Sequence, residues 1–234
     1  VLCKTNTPDL TMSFETNNLV YGRTNNPFDV TRTPGGSSGG AAAIVAAGGS
    51  PLDIGSDTGG SIRVPSHFCG IAGIKPTYGR VSTAGIFPLS YSLDHAGPLA
   101  WTAEDCALLL QAMAGYDPRD PHSSRRAVPD FRERLKHGVR GMRIGVVRHF
   151  FETDNPVQPE THAALETALG ELRAAGAHLR DVTLAPLREW SACLTIVSLS
   201  ESFSVHRERL QTRFHDFGEL LRDRLLLALT PPSD

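Results

Sequence analysis

The sequence of 234 residues lacks several features that define common protein classes. No apolar run approaches the ~18 residues that a membrane span needs. The formal net charge is only −2 at pH 7, which argues against a generic binder of nucleic acid or of membrane surfaces. The four cysteines lie far apart without a CxxC pair, which excludes a zinc ligand set and a disulfide framework. Reduced, mostly buried thiols in a cytoplasmic protein are what we expect.

Lysine is scarce as well, with three lysines against twenty arginines. Residues 1–10 hold neither a charged leader nor an apolar stretch, so the sequence as given predicts no signal peptide. The chain starts at Val1 without an initiator methionine and stops at Asp234 just after a helical run. We therefore expect a piece of a longer protein.

Glycine is abundant in the first hundred residues, which hold fifteen of the 22 glycines. The apolar periodicity and the turn residues predict alternating helices and strands. In chain order these are a helix at 41–47, strands at 51–54 and 71–74, a helix capped by Thr102, a surface connection at 117–141, a strand at 143–147, a helix at 157–175, a strand at 179–184 and helical structure over 188–229 with a break near Gly218. This alternation indicates an α/β fold with a largely buried sheet.

Two glycine-rich loops carry groups that can do chemistry, namely residues 35–40 (GGSSGG) and 57–61 (DTGGS). Glycine lets the backbone approach a ligand because no Cβ obstructs it. In the second loop, successive backbone N–H groups form an array that can hold a developing oxyanion. Glycine-rich turns are often inert, but two so close together, each leading into a helix, favour a functional site.

Three known signatures fit these loops poorly. A phosphate-binding loop needs a lysine after its glycines, which neither loop has, and a Rossmann GxGxxG is absent. GxSxG occurs on Ser37 and again on Ser38, but a nucleophile elbow must follow a strand directly. Because Pro34 is a poor end for a central strand, we interpret both matches as accidental.

The stretch 33–76, TPGGSSGGAAAIVAAGGSPLDIGSDTGGSIRVPSHFCGIAGIKP, closely resembles the signature region of the amidase signature family. Three flanking segments are similar too: KTNTP at 4–8, NLVYGRTNNP at 18–27 and SLDHAGPL at 92–99. The resemblance implies a single α/β amidase domain with a mixed central sheet and helices on both faces. Residues 1–234 would form part of that domain, with 1–121 as its signature core and 142–234 as a helix-rich continuation, and with the N- and C-terminal portions of the family domain absent.

The resemblance also implies a mechanism that needs no cofactor or metal. The family uses a Ser–Ser–Lys triad, and matching positions make Ser61 the nucleophile and Ser37 the bridging serine, which in the family follows a cis peptide bond. We expect the Ser37 hydroxyl within hydrogen-bond reach of Ser61 Oγ. The implied oxyanion and substrate-binding residues are Thr58, Gly59, Gly60, Thr11 and Met12, the last two by weaker transfer. Beside the loop, we expect Asp57 to pair with Arg63, and His67 to be packed in a helix.

The sequence departs from the family at the triad lysine, which the resemblance places before Val1. The lysines present fall at other positions, so we expect residues 1–234 alone to have no meaningful amidase activity. For the intact protein we expect hydrolysis of a small-molecule amide through a serine acyl-enzyme, without nucleic acid or membrane as a partner and with a homodimer left open. Two alternatives remain, the A subunit of a glutamine-dependent amidotransferase and a non-catalytic fragment, although residues 12–26 look more like stand-alone amidases.

Overall fold

The structure, a computed structural model, describes residues 3–229. The chain folds as two compact units: residues up to Arg132 together with those from Ile196 onward, and Glu133–Thr195. Within the described residues, no helix is both long enough and apolar enough to cross a bilayer.

Helices and strands are interspersed along the chain, as the sequence predicts, although the strands at 17–18, 22–23 and 95–100 are not among those predicted. The strands are β1 (Asn17–Asn18), β2 (Gly22–Arg23), β3 (Leu52–Asp57), β4 (Ala72–Gly73), β5 (His95–Ala100), β6 (Arg143–Val146) and β7 (His178–Asp181). The α-helices are α1 (Gly39–Ala46), α2 (Arg63–Phe68), α3 (Ala103–Met113), α4 (Pro159–Ala174), α5 (Leu187–Thr212) and α6 (Glu219–Leu226). Single turns of 3₁₀ helix lie at Asp9–Thr11, Phe214–Asp216 and Leu227–Leu229, and a π-helical turn lies at Phe150–Asp154.

The architecture is mixed α/β, but the expected single mixed sheet is wrong for the described residues. Their strands form three small sheets: an antiparallel sheet in the order β3-β5-β4, an antiparallel pair β1-β2 and a parallel pair β6-β7. The physical reason is that β6 and β7 belong to the second compact unit and pair only with each other.

Helices α1 and α3 cover opposite faces of the three-stranded sheet. Leu99 of β5 packs with the alanines of α1, whereas Ala96 of the same strand packs with Leu110 and Met113 of α3. Side chains an odd number of positions apart on a strand point to opposite faces. The core of the first unit therefore lies on both sides of this sheet, and β3 leads from it directly into the loop that carries Ser61.

Several local predictions are confirmed at the level of single residues. Thr102 caps α3, because its Oγ1 accepts a hydrogen bond from the Asp105 N–H at 3.0 Å. Residues 117–141 contain neither a helix nor a strand, as expected of a connection. The expectation of mostly buried thiols holds only for Cys69 and Cys106, because Cys3 and Cys193 are exposed.

The predicted break in the last helical region lies between α5 and α6. Leu210 of α5 packs with Leu221 and Leu225 of α6 in a small core cluster, and Met12 packs against the same cluster. This contact holds the segment around Met12 in place beside the first serine loop.

Candidate active site

The two serine loops are joined to each other by their backbones. The Ser38 N–H donates to the Ser61 carbonyl oxygen at 3.1 Å. The Ser38 hydroxyl also bonds to β3, accepting from the Ser56 N–H at 3.2 Å and donating to the Ser56 carbonyl at 3.3 Å. Ser38 is therefore engaged in holding the first loop against the strand that leads to the second.

The carboxylate of Asp57, whose side chain is fully buried, shapes the second loop. Its Oδ1 accepts from the Gly60 N–H at 2.8 Å and from Arg63 Nη2 at 2.9 Å. Its Oδ2 accepts from the Ile62 N–H and from Arg63 Nε, both at 3.1 Å. Burial raises the pKa of Asp57, but the Arg63 guanidinium and the N–H donors outweigh it and leave the pKa below its usual value. The expected Asp57–Arg63 pair is thus confirmed.

This arrangement engages one of the four N–H groups that we expect to hold an oxyanion. The Gly60 N–H is already bonded to Asp57, so it is not free to hold an oxyanion in this geometry. Within residues 3–229, the N–H groups of Thr58, Gly59 and Ser61 donate to no acceptor. Three of the four N–H groups of this loop are therefore unbonded among the described residues in this geometry.

The two serines lie deep in the protein, with 8% of Ser61 and 1% of Ser37 exposed. The Gly36–Ser37 peptide bond is cis, as expected. The expected hydrogen bond between the two hydroxyls is wrong, because Ser37 Oγ has no hydrogen-bond partner among the described residues. The hydroxyl is enclosed by protein, yet no described polar group is placed to bond with it.

No lysine in the described part of the chain bonds to either serine. Lys4 and Lys136 are exposed, and Lys75 lies with its Nζ 3.1 Å from His95 Nε2. His67 is exposed rather than packed, because the short helix α2 buries only Pro65 and Ser66.

Cys69 is a buried thiol close to the first serine loop, with Sγ 3.6 Å from the Pro34 carbonyl oxygen. Burial raises the pKa of Cys69 to about 11. Near neutral pH the group is a thiol and not the thiolate that nucleophilic attack requires. It is therefore a poor rival to Ser61.

The segment that carries Thr11 and Met12 packs against the first loop. A Cβ placed on Gly36 would lie 2.7 Å from the Ser13 carbonyl oxygen, so only glycine permits this approach. Met12 lines a cavity of about 540 Å³, whereas Thr11 turns its hydroxyl to the Leu10 carbonyl at 2.6 Å. The structure therefore places Met12 on a cavity wall.

Sequence reasoning missed two residues that contact the second loop. The ring of Phe14 adjoins Gly60, since a Cβ there would lie 3.5 Å from Phe14 Cε1. The carboxylate of Asp94 accepts a hydrogen bond from Thr58 Oγ1 at 2.6 Å. Both residues stand within or beside stretches that carry the family resemblance, but no local pattern indicated that they reach this loop.

Comparison with known proteins gives matches along nearly the whole chain. The profile of the family described as Amidase matches residues 1–228. The A subunit of the glutamyl-tRNA(Gln) amidotransferase from Rhodopirellula baltica is 49% identical over 205 residues, which cover 87% of this chain and 41% of that protein.

Solved structures match nearly the whole chain too. One, described as an unexpected vestigial protein complex that reveals the evolutionary origins of an s-triazine catabolic enzyme, is 39% identical with a TM-score of 0.90. Another, the A subunit of the glutamyl-tRNA(Gln) amidotransferase from Thermotoga maritima, is 36% identical with a TM-score of 0.83. Each match covers 97% of this chain and 48% of the other, so the chain spans about half the length of the proteins it matches.

Proposed function

The chain belongs to the amidase signature family, and on that premise we propose that the whole protein cleaves a carboxamide C–N bond through an acyl-enzyme on Ser61. A serine hydroxyl becomes a good nucleophile only when a base takes its proton. The reaction therefore needs three things around Ser61: donors for the oxyanion, a path for the proton and a site for the amide.

The observation that carries the proposal is the shape of the loop from Thr58 to Ser61. Asp57 binds the Gly60 and Ile62 N–H groups and the Arg63 side chain, which holds the loop in one conformation. The N–H groups of Thr58, Gly59 and Ser61 are left as donors for the negative charge of a tetrahedral intermediate. Removing one such donor typically costs about 10²–10³ in kcat, so a rigid array of this kind accounts for a large part of catalysis.

The proton path runs through Ser37 in this proposal. Ser37 Oγ, which makes no hydrogen bond to Ser61 in this structure, must first turn toward Ser61 Oγ; it then takes the Ser61 proton and passes its own proton to a base, while Ser61 attacks the carbonyl carbon. When the C–N bond breaks, the proton returns to the leaving nitrogen, and water later hydrolyses the ester on Ser61. The buried, unbonded hydroxyl of Ser37 supports this role, since buried polar groups are normally hydrogen-bonded. We propose that its partner is a lysine amine from the half of the relatives' length that this chain does not cover.

The amide we propose is the side chain of glutamine, hydrolysed to supply ammonia within an amidotransferase. The support is the 49% identity with the A subunit of a glutamyl-tRNA(Gln) amidotransferase. A stand-alone amidase acting on another small amide is the second candidate, supported by 30% identity and a TM-score of 0.82 with the solved structure of a bacterial aryl acylamidase.

The test is an assay of ammonia release by the full-length protein, with glutamine, simple aliphatic amides and aryl amides as substrates. Ser61→Ala should lower kcat by factors on the order of 10⁴–10⁶, because removal of a nucleophile disables the whole unit. Ser38→Ala is the comparison: it removes another buried serine of the same site, one that holds the first loop to β3, and should cost far less activity than Ser61→Ala. Equal activity of Ser61→Ala and the wild type would reject the mechanism. Preference for aryl amides over glutamine would select the second candidate.

A further inference from the structure

The side chain of Thr58 bonds to a carboxylate that the proposed chemistry does not use. Thr58 Oγ1 donates to Asp94 Oδ1 at 2.6 Å. The other oxygen of the same carboxylate, Oδ2, accepts from the Leu89 N–H at 2.8 Å and from the Ser90 N–H at 3.0 Å. Asp94 therefore ties the first residue of the donor loop to a turn that is distant along the chain.

That turn is held in its place by a second carboxylate, which comes from helix α5. Ser90 is fully buried, and its hydroxyl donates to Glu201 Oε2 at 2.5 Å. Glu201 also accepts from the Ser92 N–H at 3.0 Å and from the Ser92 hydroxyl at 2.6 Å. Burial raises the pKa of Glu201, but the bonds from Ser90 and Ser92 outweigh it and leave the pKa lowered. Glu201 is thus ionised near neutral pH and saturated by donors of this turn.

The carboxylates of Asp57 and Asp94 hold the two ends of the loop from Thr58 to Ser61. Asp57 holds its far end, through the Gly60 and Ile62 N–H groups, but makes no bond to Thr58. Asp94 holds the near end through the Thr58 hydroxyl. A donor stabilises an oxyanion only at about 2.7–3.1 Å from it, so the near end needs a fixed position as much as the far end does.

We propose that Asp94 and Glu201 form a carboxylate clamp that sets the position of the Thr58 N–H, with Asp94 as a positioning residue and Glu201 acting through Ser90. The inference rests on the proposed function, since it assigns a purpose to the Thr58 N–H. It makes helix α5 part of the support of the site, although α5 contributes no group that touches the reacting atoms.

A carboxylate that merely stabilises the fold would have a different signature, and the chain offers a matched control. Asp120 is 5% exposed and also ties a threonine into a loop, accepting from the Thr83 N–H at 2.8 Å, the Thr83 hydroxyl at 3.2 Å and the His122 N–H at 2.9 Å. None of its partners belongs to a serine loop. Asp120→Asn should lower the midpoint of thermal unfolding and leave kcat unchanged.

The deciding experiment compares Thr58→Val, Thr58→Ser, Asp94→Asn and Asp120→Asn in the full-length protein, with kcat, KM and the unfolding midpoint measured for each. The substrate is glutamine, or an aryl amide if glutamine is not hydrolysed. Thr58→Val keeps the shape of the side chain but removes its hydroxyl. It should lower kcat about 10- to 100-fold with KM nearly constant, because a donor displaced by a fraction of an ångström fails mainly in the transition state. Asp94→Asn should match it, and the double variant should be little worse than either single one.

Thr58→Ser should recover most of the activity, since its hydroxyl can reach the same carboxylate. Glu201→Ala should lower kcat in the same direction but less, because it acts through the turn. Wild-type kcat in Thr58→Val, or equal losses in Thr58→Val and Thr58→Ser, would overturn the clamp even if Ser61→Ala is inactive. Activity in Ser61→Ala would instead reject the proposed function, which keeps the two failures distinguishable.

Discussion

Arginine forms ion pairs with carboxylates in both compact units, but these pairs differ in burial and in the structure that they stabilise. In the first unit, the carboxylate of Asp57 is fully buried and binds backbone N–H groups as well as Arg63. In the second unit, Arg148 bonds to Glu152, Glu166 and Asp181, whose side chains are 36%, 40% and 67% exposed. The same kind of ion pair fixes a loop in the first unit, where the carboxylate is buried. In the second unit, where the carboxylates are exposed, it links side chains on the surface.

Among the surface residues around Arg148, spacing alone would suggest a site for a metal cation. Glu152, His162 and Glu166 bring ligand atoms within 4.8 Å of one another, a spacing that suits a cation. Arg148 already lies against both of these carboxylates. The guanidinium supplies the positive charge there, so the cluster is a network of ion pairs.

Among these predictions, the largest effect on stability should come from removing the buried carboxylate of Asp57. Asp57→Ala leaves the Gly60 and Ile62 N–H groups buried without an acceptor and should destabilise the protein by about 3 kcal/mol. It should also lower kcat sharply, because the donor loop loses its shape. Asp53→Ala, in the same strand but bonded only to the Ile54 N–H next to it, is the control and should change neither quantity much. Denaturant unfolding and amide hydrolysis measure both effects, and equal behaviour of the two variants would contradict the role assigned to Asp57.

The pH dependence of the same pair has a definite sign. Because the pKa of Asp57 is lowered in the folded protein, its contribution to stability is complete above the unfolded pKa of about 3.9 and is lost as the pH falls through the folded value. The difference in unfolding free energy between the wild type and Asp57→Asn should therefore be constant near neutral pH and shrink in strong acid. A difference that grows on acidification would show that the carboxylate is not ionised in the folded state.

A smaller effect on stability is expected at His206, a buried side chain without hydrogen bonds. His206 is fully buried, stacks on Phe87 with ring centroids 5.5 Å apart, and forms no hydrogen bond through either ring nitrogen within the described residues. Burial and the nearby Arg209 charge lower its pKa. Stability should therefore fall as the pH drops from about 6.5 through the lowered pKa, because the unfolded chain takes up the proton more readily.

His206→Phe should remove this acid-sensitive loss while changing the unfolding free energy at pH 7 by no more than about 1.5 kcal/mol. Thermal or denaturant unfolding between pH 5 and 8 tests it, with the exposed His67→Phe as the control. An unchanged pH profile in His206→Phe would mean that the buried imidazole does not titrate as its surroundings indicate.

The smallest effect should come from the exposed network. Arg148→Met should destabilise the protein less than Asp57→Ala does, since exposed ion pairs gain little in water. Its effect should fade at about 1 M salt, where the Debye length is about 3 Å, whereas that of Asp57→Ala should persist. Unfolding at low and high salt measures the contrast. A salt-independent loss in Arg148→Met would show that the second unit depends on this arginine as the first depends on Asp57.

Much of the fold follows from local pattern, and the exceptions have identifiable causes. Helices α3 and α4 carry a cap, a proline and apolar spacing in the sequence itself, and they lie where these signals predict. Strand β5 carries Gly97 and Pro98, residues that argue against a central strand, yet it pairs with strands on both sides. Its burial between α1 and α3 overrides its poor strand propensity, and that burial depends on contacts distant in sequence.

The candidate site likewise has parts that could be predicted from the sequence and parts that could not. The two loops and the Asp57–Arg63 pair could be predicted, because motif and spacing are local. The hydrogen bond from the Gly60 N–H to Asp57 and the contacts of Asp94 could not be predicted, because each depends on the position that a side chain takes only in the folded chain. Thr58 and Asp94 lie 36 positions apart, and no periodicity in the sequence connects them.

The central claim is that Ser61 is the residue that becomes acylated, and one measurement tests it most directly. The full-length protein is treated with a fluorophosphonate probe, digested and mapped by mass spectrometry, alongside Ser61→Ala and Ser38→Ala. We expect a single adduct on Ser61, which is lost in Ser61→Ala and kept in Ser38→Ala. An adduct on Ser37, Ser38 or Cys69 in the wild type would contradict it.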